Sequence, residues 1–206
     1  MKINSKLRGF ASPIPCSVMA VVLMSVCSSV TLAQDGHSHM STSQQQPAAV
    51  DDQANTLLKI VRNATERFKD VHVAEAEGYA PVFGCVTGDA SGAMGIHYLN
   101  GAILNSGELD PTRPQIVIYE PLPGGGLQLI GADFLVFADT WNNSHAGPPQ
   151  LMGQLFHLFD APNRFGLRPF YTLHVWAWKP NPRGAFADMN PSVTCEHATA
   201  EHASAK

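Results

Sequence analysis

The chain has 206 residues, with 13 Lys and Arg against 17 Asp and Glu and a formal charge of −4. Beyond its first residues it carries no cluster of basic side chains, which argues against nucleic acid or an anionic membrane surface as a partner. Charged residues make up only 15% while Gly and Pro number 17 and 15, so a loop-rich, β-containing body is expected.

Lys2, Lys6 and Arg8 open the chain, and an apolar run begins at Val18-Met19-Ala20-Val21-Val22-Leu23-Met24. Thr31-Leu32-Ala33 then offers small residues where a signal peptidase reads, so residues 1–33 read as a signal peptide. Ser25, Cys27, Ser28 and Ser29 interrupt the run, which is too short for a transmembrane helix. Cys27 leaves a lipoprotein alternative open, although Val26 before it is larger than such a site prefers. No other stretch could span a bilayer, and a periplasmic or secreted location is expected. Loss of the three leader cations leaves ten Lys and Arg against seventeen Asp and Glu, a charge of −7.

Residues 34–50 are polar and low in complexity, and are expected to be a disordered linker. His37, His39 and Met40 lie there, but cleavage after Ala33 makes His37 the fourth residue, where an amino-terminal copper motif needs the third. Asp51 and Asp52 open a predicted helix of about 25 residues, with acidic groups favourable near its start. Leu57, Val61, Ala64, Phe68 and Val71 form its apolar stripe, and Gly78 and Pro81 end it. His72, Glu75 and Glu77 read as surface groups.

From there the pattern changes to short strands: 81–86, then 94–99 after a turn. A long loop through 100–114 leads to a strand at 115–120. Pro121-Leu122-Pro123-Gly124-Gly125-Gly126 then turns the chain into an apolar strand over 127–138, the clearest hairpin in the sequence. Residues 139–170 are punctuated by Asn, Gly and Pro and read as a long loop, often a functional feature. The stretch 171–178 alternates Tyr171, Leu173, Val175 and Ala177 with Thr172, His174, Trp176 and Trp178. Both sets are apolar enough for a central strand covered on both faces.

Cys16 and Cys27 leave with the leader, so Cys85 and Cys195 are the remaining thiols of an exported chain, and a disulfide is expected. Closing a loop of about 110 residues is worth roughly 4–5 kcal/mol by chain entropy. Metal-binding thiolates are the weaker reading, because neither Cys has a second Cys or His at ligand spacing.

His97 and His174 fall mid-strand among apolar neighbours, where each ring nitrogen needs a partner or a metal. Singly, each reads as a hydrogen-bonded core histidine; together, they could face one pocket. Glu120 and Asp133 are the buried carboxylate candidates. If Glu120 pairs with Leu127, Asp133 shares its face but lies about 20 Å away at about 3.3 Å per residue. Glu120, beside a turn, is preferred. His145 and His157 come from the long loop. The expected metal set is His97, His174, Glu120 and His145, with His157 and Asp133 as weaker members. Such a set suits zinc, iron or copper. No HExxH or CxxC supports it, no GxSxG is present, and the Gly run sits in a hairpin turn rather than a phosphate loop. Tyr98, Tyr119 and Trp176 are candidates to line an apolar pocket for a small molecule; core packing explains them equally well.

The series Gly84-Cys85-Val86, Gly92-Ala93-Met94-Gly95-Ile96-His97-Tyr98, Tyr119-Glu120-Pro121, Pro162-Asn163-Arg164-Phe165-Gly166-Leu167, Leu173-His174-Val175-Trp176-Ala177-Trp178 and Asn190-Pro191-Ser192-Val193-Thr194-Cys195 resembles a family of exported bacterial proteins of unknown function. The resemblance covers nearly the whole mature chain and implies a single exported domain, with no known activity. Asp133 stands where that pattern leads one to expect Glu.

The fold expected over residues 51–206 is a single α+β domain. It has a long N-terminal helix on a curved, mainly antiparallel sheet of about five strands, with one disulfide. Two functions fit this reading. One is a metal-binding protein or metal-dependent enzyme with a His/carboxylate site. The other is a non-catalytic exported module that binds a small apolar ligand or a protein partner through an aromatic-lined sheet.

Overall fold

A computed structural model describes residues 46–199. The expected leader and most of the expected linker lie outside the described residues. Helix α1 runs over Gln46–Thr65, so residues 46–50 of that linker are helical and the first helical turn carries no acidic side chain. Leu57 and Val61, one turn apart, are fully buried. The expected single helix of about 25 residues is instead three helical pieces. After Thr65 the chain tightens into a 3-10 turn, Glu66–Lys69, and restarts as α2, Val71–Ala76. Asp70 between them is extended, and its carboxylate accepts the His72 backbone N–H at 3.0 Å, an N-cap that starts a new helix.

Six strands build one antiparallel sheet: β1 (Tyr79–Thr87), β2 (Ala93–Asn100), β3 (Ile116–Pro121), β4 (Leu127–Phe137), β7 (His157–Phe159) and β8 (Phe170–Val175). Their order is β1-β2-β3-β4-β8-β7. A separate two-stranded hairpin joins β5 (Gln150–Leu151) to β6 (Gln154–Leu155). Short helices α3 (Gly101–Ser106) and α4 (Ala138–Asn142) occupy stretches that read as loop. Asn100 starts α3 by accepting the N–H groups of Ala102 and Ile103.

Strand β8 is shorter than expected and lies next to the edge rather than at the centre, because β7 pairs with it through His157 and Thr172. Its alternation ends at Val175. The Ala177 N–H turns back to the Val175 carbonyl (2.8 Å), and Trp178 then bonds the Ile130 carbonyl. Trp178 thereby changes face and donates its indole N–H to Thr65 of α1, while Trp176 keeps the face of His174. Two apolar layers result. Leu57, Val61 and Phe68 pack on Phe134, Leu173, Tyr98 and Tyr119 on the helix side. Ile116, Ile118, Ile130, Phe170 and Trp176 form the layer on the opposite face, covered by the C-terminal segment.

The disulfide Cys85–Cys195 is present, with Cα atoms 5.7 Å apart. No helix among the described residues is long and apolar enough to cross a membrane, and nothing indicates a nucleic-acid partner. The disulfide and the lack of such a helix are compatible with an exported protein.

Candidate metal centre

Three strands deliver three buried groups to the face opposite α1: His97 from β2, Asp133 from β4 and His174 from β8. Asp133 and His174 face each other in register across β4 and β8. β3 lies between β2 and β4, with His97 opposite Ile118 and Asp133 opposite Ile116. Even so, one ligand atom from each of the three lies within 4.8 Å of the others. The imidazole centroids of His97 and His174 are 5.8 Å apart, nearly perpendicular, and His174 Nε2 is 3.8 Å from Asp133 Oδ2. Gly95 sets the approach of β2 to β3: its φ is +98°, and a Cβ there would fall 2.5 Å from the Tyr119 carbonyl oxygen.

None of the three side chains exceeds 3% exposure as a residue. Burial pushes both imidazoles down to about 4, His97 also through the neighbouring His174. Burial likewise pushes the Asp133 carboxyl up to about 7, against the pull of His97 and of the Thr172 hydroxyl that donates to Oδ1 at 2.5 Å. His97 Nδ1 and both ring nitrogens of His174 have no hydrogen-bond partner. Three orphaned nitrogens within one small volume are costly unless partners or an ion meet their N–H groups and lone pairs.

The surrounding pocket is apolar, with Phe83, Phe159, Phe165 and Phe170 among its walls. Its cavity is small, about 20 Å³, room for one water-sized body. Phe83 reaches it from a bulge in β1 between Val82 and Cys85, where its φ is +63°. Its ring sits 5.1 Å from that of Phe165 and 6.4 Å from His97.

The cluster could hold a metal ion. Two nitrogens and one carboxylate oxygen are a common donor set, with bonds of about 2.0–2.2 Å that place ligand atoms about 3–4 Å apart. A contraction of about an ångström from the present spacing closes the set. Three protein ligands leave positions free for water or substrate.

The other expected ligands are not brought to this cluster. Glu120, the preferred carboxylate, is buried on the same sheet face but is held by Lys179 Nζ and by the Thr194 N–H at 3.1 Å. It pairs with Gln128 rather than Leu127, and a register break between Ile118 and Tyr119 brings Asp133, not Gly131, opposite Ile116. His145 is exposed and stacked on Trp141, with centroids 3.6 Å apart. His157 is also exposed and pairs with Asp188 at 3.2 Å. Tyr98 and Tyr119 belong to the helix-side core, where the Tyr119 hydroxyl donates to the Phe68 carbonyl at 2.7 Å. Trp176 stays near the site, 6.3 Å from the His174 ring, and donates to the Ala187 carbonyl.

The four phenylalanines and Asp188 are absent from the expected site. Phe165 was visible only as part of the Pro162–Leu167 series, and Asp188 stands in a loop with no local pattern to single it out. No family model matches the chain, and neither does any curated protein or solved structure.

Proposed function

We propose that the domain is an exported metal-binding protein whose centre is His97, Asp133 and His174, with zinc, iron or copper as the candidate ions. What carries the reading is the convergence of three buried ligand groups, in which three of the four imidazole nitrogens have no hydrogen-bond partner. Such an ion, held with open positions, would act as a Lewis acid on a water or a small substrate. The residues themselves do the rest. Thr172 fixes the Asp133 carboxyl by its hydrogen bond, and the phenylalanines limit water around the three ligands. The leader pattern and the disulfide support an exported location.

One observation favours the second reading, an apolar-ligand module without metal. With both imidazoles neutral and the Asp133 carboxyl pushed up to about 7, the trio is mostly uncharged in mildly acidic solution, between about pH 4 and 7. The Phe-lined pocket, which has room for one water-sized body, would then have to widen to take such a ligand.

Elemental analysis of untagged protein decides between them. The metal reading expects near-stoichiometric metal, lost in the His97→Ala/His174→Ala double variant. It also expects a higher Tm on adding the ion to stripped protein, since a ligand at 100 Kd stabilises by about 2.7 kcal/mol. Metal-free protein whose Tm ignores zinc, iron and copper overturns it.

A further inference from the structure

Just outside the candidate ligands lies a carboxylate that the site as described does not use. Asp188 Oδ1 is 3.6 Å from His174 Nδ1, the ring nitrogen pointing away from Asp133. The same oxygen is 3.2 Å from His157 Nδ1. Asp188 thus sits between a buried imidazole and an exposed one, and its own side chain is 29% exposed. Its position is built rather than incidental. Trp176 donates its indole N–H to the Ala187 carbonyl at 2.6 Å, its backbone N–H bonds the Ala185 carbonyl, and Asn181 Nδ2 donates to the Met189 carbonyl. The loop beside Asp188 is therefore tied to the end of the strand that carries His174.

A neutral imidazole has one N–H, and which nitrogen carries it decides which nitrogen can bind an ion. Nothing in the inner cluster makes that choice for His174, since both its nitrogens lack hydrogen-bond partners. A carboxylate facing Nδ1 makes it, because it accepts an N–H there and leaves the Nε2 lone pair directed at Asp133 and His97. The gap is only a few tenths of an ångström beyond hydrogen-bond length, which a small tilt of the ring closes.

We infer that Asp188 is the positioning residue of His174, holding it as the Nδ1–H tautomer so that Nε2 is the atom presented to the metal. This rests on the metal reading proposed above. Asp188 touches no ligand-binding position itself; it acts through the ring it orients, and partners of this kind typically change metal affinity 10- to 100-fold.

The test has two arms on the same full-length protein. Two-bond proton–nitrogen correlation spectra of metal-free, 15N-labelled protein report the His174 tautomer directly. Wild type is expected to show Nδ1 protonated and Nε2 bare, and Asp188→Ala to lose that preference. Asp188→Asn, which keeps an acceptor oxygen, is expected to retain most of it. Competition with a chelator for zinc should show an affinity 10- to 100-fold weaker for Asp188→Ala and a smaller loss for Asp188→Asn. A folded Asp188→Ala protein with the wild-type tautomer and wild-type zinc affinity overturns the inference and leaves the metal centre standing. The expected tautomer change in a protein that binds no ion does the reverse: it supports the role of Asp188 and removes the metal reading.

Discussion

Asp133 and the two imidazoles reach an uncharged state from opposite directions, and this gives the metal-free protein a definite pH dependence. Burial drives the histidines down to about 4 from an ordinary 6.5, so their contribution to stability is full above about 6.5 and is lost as pH falls through about 4. Asp133, driven up to about 7 from 3.8, contributes fully below about 3.8 and loses that contribution as pH rises through about 7. Between about pH 4 and 6.5 the unfolded chain holds two imidazole protons that the folded one lacks. The folded chain holds one carboxyl proton that the unfolded one lacks. The site therefore favours folding more strongly as pH rises across this window, by a net one proton, about 1.4 kcal/mol per pH unit. Asp133→Asn removes the opposing proton. Its stability, followed by urea denaturation of stripped protein, should gain about one further proton of slope in the same window. Parallel wild-type and variant profiles would show that Asp133 is ionised in the folded state. The same variant should bind no metal.

Among the elements, the bulge in β1 does the most for the site. Phe83 and Gly84 leave the ladder with β2 and take φ of +63° and +64°, which turns the Phe83 ring toward His97 and Phe165. A bulky side chain in the left-handed region costs about 1–3 kcal/mol, and the pocket wall it completes is what that strain supports. Phe83→Gly should relieve the backbone while opening the wall. Stability should change by less than an ordinary Phe→Gly replacement, while chelator-driven metal loss becomes several-fold faster in a stopped-flow assay. Unchanged loss kinetics would mean that the ring does not guard the centre. Elsewhere, β7 and the turn after Val175 place Thr172, His174 and Trp176 on one face and send Trp178 to the other. A strict alternation through residue 178 would have put both indoles beside His174.

The molecule as a whole separates its structural layer from its chemistry. Helix α1 packs on one face of the sheet through Leu57 and Val61, and the candidate centre lies on the other. Arg62 Nε donates to the Ala177 carbonyl at 2.8 Å and Trp178 to Thr65, tying the helix to the segment that follows β8. Leu57→Ala should cost about 2–5 kcal/mol in global stability, read by denaturation, because it leaves a void in a fully buried contact. Metal content of the folded fraction should be unaffected. Loss of metal at full folding would mean that the two faces are coupled through β4 and β8.

Much of this architecture is local and therefore written along the chain. Leu57 and Val61 are spaced for a helix, Gly124–Gly126 mark the β3/β4 turn, and Cys85 and Cys195 are the two thiols beyond the expected leader. His97 and His174 could be read as buried because each sits within a short apolar strand, and strand alternation is a property of neighbouring residues. Their meeting depended on strands that are not adjacent. The unbroken β4/β8 ladder set Asp133 opposite His174, and the register break at Ile118/Tyr119 set Asp133 opposite Ile116, with Glu120 at the far end of β3. The Phe83 bulge, the edge strand β7 and the loop carrying Asp188 supplied the rest of the surroundings. A shift of one residue in a ladder moves every side chain beyond it, and connections of this length leave such shifts unconstrained until the sheet packs. The sequence by itself determined the apolar stripe of α1, strands β1 to β4, most of β8 and the two histidines; only the tertiary structure chose the edge strand, the carboxylate, the wall and the partner of His174.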